Sequence, residues 1–177
     1  LGAFARNDAI AHPWFAPAGF ARGALNAVEV QAKLNRTNLD NLYDARINPI
    51  AAFPGQQGPV VFGQKTLQLA QSALDRVNVR RLLIEIRRNV RDIANTFLFE
   101  PNRESTLNRF SASIRPMLTK IQQQQGLDRF KVQIDTSTTT QADVENNTIR
   151  GKIFLQPTRS VEFIALDFVV TNAGAQI

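Results

Sequence analysis

Apolar residues recur at three- and four-residue steps through residues 76–99, and this spacing predicts a helix of about six turns with one buried stripe. The stripe consists of Val79, Leu82, Leu83, Ile86, Val90, Ile93 and Phe97. We expect the helix to end at residues 100–102, because the residue before Pro101 is pushed out of the α region. A second amphipathic pattern covers residues 103–125, where Pro116 predicts a kink or a restart and Gly126 a C-cap. Two such helices joined by a short loop are expected to pack as a hairpin.

The C-terminal third shows the two-residue alternation of β-strands. Residues 130–135 predict a strand with one buried face, residues 136–147 a polar hairpin loop, and residues 149–156 the returning strand. A last strand is predicted over residues 161–171 and is apolar on both faces. A strand of that kind needs cover on both sides, either inside its own sheet or by strand addition to another subunit. Its apolar positions are Val161, Phe163, Ile164, Leu166, Phe168 and Val170.

The N-terminal part carries weaker signals. Residues 1–25 are interpreted as an irregular, extended segment with aromatic residues and a tight turn at Pro17 and Gly19. Residues 27–46 predict a short helix that Asn35 and Asn38 loosen in the middle, and a Gly/Pro-rich loop at 53–59 separates two short extended pieces. The pattern as a whole predicts an α/β (α+β) fold with a mixed sheet packed against two long amphipathic helices.

Charge adds a second feature to the long helix. The chain has a net charge of +6, and residues 76–131 alone hold twelve Lys or Arg against five Asp or Glu. At roughly 100° per residue, Arg80, Arg87 and Arg91 fall within about 40° of one another. We call Arg80, Arg87, Arg88 and Arg91 the basic face. Such a face is often only solvated, but the local concentration of charge also fits an acidic or polyanionic partner.

The residues needed for most catalytic and metal sites are missing. The chain has no cysteine and a single histidine, His12, to which we assign no chemistry. It contains no dinucleotide fingerprint, phosphate-binding loop or nucleophile elbow. The sequence therefore predicts no enzyme activity, no metal site and no cofactor. No apolar run is long enough for a membrane span, and the start at Leu1 suggests a piece of a longer protein.

Composition leaves two partner classes open. A sequence pI near 10.5 fits phosphate binding, so a basic nucleic-acid-binding domain is the alternative function. The polar side of the helix carries no aromatic residues for base stacking, and no helix-turn-helix or RNA-binding signature is present. An acidic protein surface explains the same charge equally well.

Four segments together resemble the C-terminal part of a contractile phage tail sheath protein. They are ARNDAIAHPWFAPAGFARGAL from Ala5, LYDARINPI from Leu42, NVRRLLIEIRRNVRDIANTFLFEPN from Asn78, and GKIFLQPTRSVEFIALDFVVT from Gly151. Ala16 stands where the family usually has serine in its turn motif. The resemblance extends along essentially the whole chain.

The resemblance implies a mechanical role without cofactor, nucleotide hydrolysis or small-molecule substrate. Sheath proteins form hexameric rings that stack into a helical polymer around a tail tube, and contraction drives the tube through the host envelope for genome ejection. The implied partners are further copies of the chain, the tail tube protein, and the baseplate and tail terminator proteins, with no direct nucleic acid contact. The implied location is the bacteriophage virion, after assembly in the host cell cytoplasm.

The resemblance also assigns regions and candidate surfaces. Residues 1–25 would link to missing upstream domains, and residues 26–177 would form the tube-proximal core domain. Extended N- and C-terminal segments would serve for inter-subunit strand addition. The basic face becomes the candidate tube contact. Residues 161–177, called the C-terminal arm below, become the candidate inter-subunit strand.

Overall fold

The structure is a computed structural model that describes residues 1–166. Within that range the α-helices are α1 (Gly2–Ile10), α2 (Gly19–Arg22), α3 (Arg36–Asp44), α4 (Val77–Asn95), α5 (Glu104–Gln123) and α6 (Gln141–Glu145). The strands are β1 (Ile50–Ala51), β2 (Val60–Val61), β3 (Leu127–Gln133) and β4 (Lys152–Pro157). None of these helices combines the length and the apolar character that crossing a membrane requires.

The α+β class is confirmed, but the described strands form two separate antiparallel pairs, β1–β2 and β3–β4, instead of one mixed sheet. The β1–β2 pair is only two residues long on each side. Pro49 and Pro59 precede these strands and have no N–H to extend the ladder, although their carbonyls accept bonds from Phe62 and Leu25 at 2.8 and 2.9 Å.

The main core lies between the α4–α5 hairpin and the β3–β4 pair, as the two helical patterns predict. Its buried members are Trp14, Leu82, Ile86, Leu107, Ile114, Leu118, Ile121, Leu127, Val132 and Ile134. The stripe predicted for α4 and the amphipathic pattern predicted over residues 103–125 supply most of these side chains. The hydrophobic effect favours burial of the apolar stripe, and this burial sets the rotation of α4 about its axis.

Both long helices differ from prediction at their ends. α4 stops at Asn95, earlier than expected, because Thr96 Oγ1 bonds back to the Ile93 carbonyl at 2.7 Å and Phe99 takes a left-handed φ of 68°. α5 runs through Pro116 without the restart that we considered. Gln125, with φ of 62°, takes the left-handed position predicted for Gly126.

Gly126 serves a different purpose, which is close packing. A Cβ at this position would lie 2.7 Å from Ile121 Cγ2 and 3.0 Å from Trp14 Cδ1. Trp14 Nε1 also donates to the Gln124 carbonyl at 3.0 Å, so the indole covers the C-terminus of α5. This contact ties the N-terminal region to the core.

The N-terminal region corrects two predictions. Residues 1–25 are not irregular throughout, because they contain α1 and α2. Asn35 does not loosen a helix but starts one, since its side chain accepts from the Asn38 N–H at 2.8 Å as the N-cap of α3. His12 stacks on Trp14 with ring centroids 4.7 Å apart, which is a packing role.

The predicted polar loop between the last two described strands contains the short helix α6. Thr140 and Asp143 form a capping box at its start, and Arg150 donates to Asp143 Oδ1 at 2.6 Å. The hydrogen bonds from Arg150 and Thr140 lower the pKa of Asp143 from 3.8 to about 2. This carboxylate therefore stabilises the loop. No group of potential metal ligands occurs within residues 1–166.

Candidate interaction surfaces

The basic face of α4 is exposed as its helical phase predicts. Val79, Leu82 and Ile86 are 5%, 1% and 3% exposed, and they fix which side of the helix points into the core. At about 100° per residue the basic face lies roughly 135° around the helix from this buried stripe. All four of its arginines are exposed, and none has an ion-pair partner among residues 1–166.

Ile84 interrupts the charge of the basic face. It lies between Arg80 and Arg88 in helical phase and is 57% exposed. The two acidic residues of the helix, Glu85 and Asp92, lie outside this group, because in helical phase they are farther from Arg80 than Arg88 is. The surface thus has an apolar residue within a group of arginines, which is the arrangement of many protein interfaces, with an apolar centre and a polar rim.

The two other arginines of the helical stretch have partners far away in the chain. Arg81 binds both carboxylate oxygens of Asp8 at 2.7 and 2.6 Å, and this contact holds α1 against α4. Arg76 binds Glu162 through Nε at 2.6 Å and through Nη2 at 2.9 Å. Helical phase alone therefore does not predict which arginines of this stretch form an ion pair with another part of the chain.

The described part of the C-terminal arm, residues 161–166, belongs to no strand. Val161, Phe163, Ile164 and Leu166 are 80%, 76%, 79% and 71% exposed. The other two candidate strand residues, Phe168 and Val170, lie outside the described residues. Four large apolar side chains in six residues are open to solvent, which is unusual for a segment that has no partner.

A polar cluster at the start of the arm was not predicted from the sequence. Tyr43 Oη donates to Glu162 Oε2 at 3.0 Å, and Arg76 Nη2 donates to Tyr43 Oη at 3.2 Å. We call Glu162, Arg76 and Tyr43 the arm anchor. The one available signal was Glu162 itself, one of two acids, with Asp167, within an otherwise apolar run.

The electrostatics of the arm anchor follow from this geometry. Partial burial acts to raise the pKa of Glu162, but the hydrogen bonds from Arg76 and Tyr43 outweigh it, so the pKa lies below 4.5. Burial and the neighbouring Glu162 raise the pKa of Tyr43 above 10.0. Lys65 lies against the Tyr43 ring, 3.0 Å from its centroid, and donates to the Tyr43 carbonyl at 2.6 Å. The cluster thus combines a paired carboxylate with a neutral phenol.

Comparison with known proteins gives consistent relatives. A family model described as the phage tail sheath C-terminal domain matches residues 70–171. The tail sheath protein of Vibrio phage KVP40 is 38% identical over 175 residues, and that of Enterobacteria phage T4 is 33% identical over 175 residues. Each alignment covers 98% of this chain but 26% of the relative, so the chain spans about a quarter of their length.

Solved structures show the same backbone arrangement. The sheath complex of an extracellular contractile injection system in the contracted state matches with a TM-score of 0.85 and 30% identity, over 95% of this chain and 49% of that one. The anti-feeding prophage baseplate structure matches with a TM-score of 0.85 and 26% identity, over 96% of this chain and 48% of that one. Since the family model covers more than half of the chain and both phage relatives exceed 30% identity along nearly all of it, this chain belongs to the phage tail sheath C-terminal domain family.

Proposed function

We propose that this chain is the tube-proximal core domain of a contractile tail sheath subunit. The subunit polymerises as hexameric rings into a helical sheath around the tail tube and contracts to drive the tube through the host envelope. Its role is structural, without catalysis or a small-molecule substrate. Residues 1–25 connect to upstream domains, and residues 26–177 form the polymerising core.

The exposed apolar side chains of the C-terminal arm are the observation that carries this proposal. Ile164 and Leu166 are 79% and 71% exposed, and their backbone has no ladder partner within residues 1–166. A segment in this condition gains most by pairing as a strand with the sheet edge of another copy, where main-chain bonds give affinity and alternate side chains are buried. In a ring of identical subunits each copy both donates and receives such a segment, so one contact closes the assembly.

The basic face is proposed as the contact to the tail tube. Its four arginines favour an acidic surface, and the exposed Ile84 among them favours a protein over a nucleic acid, since duplex phosphates offer no apolar recess. Exposed charge contacts contribute about 0–1 kcal/mol each. Individually weak contacts repeated along a polymer suit a surface that must hold the extended sheath in register and then release the tube.

The remaining partners follow from the same role. The ends of a sheath need a baseplate on one side and a tail terminator on the other. The polymer is part of the virion tail and assembles in the host cell cytoplasm. The solved structures that match this chain include the sheath complex of an extracellular contractile injection system and the anti-feeding prophage baseplate, which supports further copies of the chain and a baseplate as partners.

Electron microscopy of the full-length protein that contains this chain tests the proposal. We expect the purified protein to form hollow striated cylinders without its tube. A truncation before Ile164 should remain folded and lose the cylinders, because it removes the free part of the arm. Dispersed particles that bind duplex DNA with strong salt dependence would instead favour the nucleic-acid alternative.

A further inference from the structure

The chain between β4 and the arm is held on the core by alternate side chains. Thr158 Oγ1 donates to Asp128 Oδ1 at 2.8 Å, and Ser160 Oγ accepts from Asn78 Nδ2 at 3.1 Å. Glu162, two residues further, completes the series in the arm anchor. Alternate residues of an extended chain point to the same side, so these three polar side chains face the core together. They hold an extended segment in place without a β-ladder.

The arm anchor is the strongest of these contacts. Glu162 accepts two bonds from one guanidinium, at 2.6 and 2.9 Å, and a third from the Tyr43 hydroxyl. The side chains of Arg76 and Glu162 are only 24% and 21% exposed, so solvent screens the pair less than a typical surface pair. A bidentate arginine–carboxylate pair also fixes direction as well as distance. The backbone leaves the anchor in a defined direction.

Contact with the core ends immediately after the anchor. The Phe163 ring packs edge-on against Tyr43, with centroids 5.6 Å apart. Phe163 is itself 76% exposed, much like Ile164 and Leu166, so this ring contact, and not a difference in exposure, places the boundary between the held and the free part of the arm after Phe163.

The other side of the anchor is the start of α4. Arg76 is the N-cap residue of this helix, and its carbonyl accepts from the Arg80 N–H at 3.1 Å. Arg80 is also the first residue of the basic face. The anchor thus connects the root of the arm to the helix that carries the proposed tube contact, through two side chains and one helical turn.

We propose that the arm anchor is the fixed root of the C-terminal arm, and that it transmits the pull of a neighbouring copy to the N-terminus of α4. Residues from 164 onward engage the neighbour, while residues 158–163 stay on their own core. The existence of the anchor stands on the contacts above. Its transmitting role rests on the proposed function, which supplies the neighbour.

Tryptic release of the arm measures the anchor directly. Arg159 is the last Lys or Arg of the chain, so cleavage after it releases residues 160–177 as one peptide. Glu162→Gln removes the charge of the carboxylate that pairs with Arg76. It should therefore increase the rate of this release about tenfold. Tyr43→Phe should give a smaller increase, because the ring that supports Phe163 remains. Glu29→Gln, the same change at an exposed carboxylate, should leave the rate unchanged.

Rates are normalised to cleavage of matched free peptides with Glu or Gln at this position, which removes any direct effect on trypsin. If Glu162→Gln releases the arm no faster than Glu29→Gln, the anchor does not hold the arm and the proposal is overturned. If Glu162→Gln unfolds, the comparison is made with Tyr43→Phe, which keeps the charges of Arg76 and Glu162.

Cylinder formation by the full-length protein tests the transmitting role. Glu162→Gln should fold normally and yield far fewer cylinders than the wild type or Glu29→Gln. Faster arm release with normal cylinders would overturn the transmission. If the wild type itself forms no cylinders, the proposed function fails, and the tryptic comparison still decides whether the anchor exists.

Discussion

Replacing Gly126 with alanine isolates one packing contact in this fold. The backbone of Gly126 does not have a left-handed φ, so alanine introduces no conformational strain. The added Cβ, however, would lie 2.7 Å from Ile121 Cγ2 and 3.0 and 3.1 Å from two atoms of the Trp14 indole. Both neighbours are buried, with Ile121 4% and Trp14 9% exposed, so they are packed within the core and not lying at the surface. The new atom must displace the indole or shift the end of α5.

The magnitude follows from these contacts. Extra methyl groups in a packed core cost about 1–3 kcal/mol. Movement of Trp14 also weakens the hydrogen bond to the Gln124 carbonyl, whose net contribution is about 0.5–1.5 kcal/mol. Together these costs are about 1.5–4.5 kcal/mol. For a domain of this size each kcal/mol lowers the melting temperature by about 2–4 °C, so we expect a decrease of roughly 3–18 °C.

Thermal unfolding followed by tryptophan fluorescence reads this site specifically, because Trp14 is the only tryptophan. Gly126→Ala should melt earlier and show a red-shifted native emission as the indole gains contact with water. Gly2→Ala is the matched control, since a Cβ there meets nothing within 4 Å. An unchanged melting temperature together with an unchanged emission would refute the close packing of Trp14 on the end of α5.

Two further predictions concern charge. Arg87→Glu combined with Arg88→Glu should reduce sheath assembly on isolated tubes in a salt-dependent way and leave the melting temperature unchanged. The control, Lys33→Glu with Arg36→Glu, should have little effect on assembly. Equal assembly of both double variants would contradict the tube contact. The pKa of Asp143 is lowered from 3.8 to about 2, so its contribution to stability is present above pH 3.8 and is lost as the pH falls toward 2. Acid unfolding curves should show that Asp143→Asn lacks this component, and parallel curves for both proteins between pH 4 and 2 would contradict it.

The sequence alone determined the features whose causes are local. The periodic stripes of α4 and α5 predict both helices and most of the core, because helical phase and apolar burial depend on residues only a few positions apart. The same phase places the basic face opposite the stripe, and the structure finds it exposed there. The family resemblance, carried by short segments in order, is also confirmed.

Weak local signals led to the incorrect predictions. The apolar residues of α1 do not share one face, so no periodicity marked it as a helix. The pattern predicts that Asn35 loosens a helix, although the same side chain stabilises a helix when it lies at the N-cap. For asparagine, the position relative to the helix start decides the sign of the effect, and that position was not evident from the pattern.

Only the tertiary structure decided which polar groups meet across long distances in the chain. Arg76 and Arg81 look like the other arginines of the helical stretch, yet their partners Glu162 and Asp8 are 86 and 73 positions away. Gly126 likewise resembles a C-cap until Trp14, far upstream, is seen packed on it. Periodicity predicts which side of an element is buried, but it cannot predict which distant side chain covers that element, because this depends on how the elements pack together.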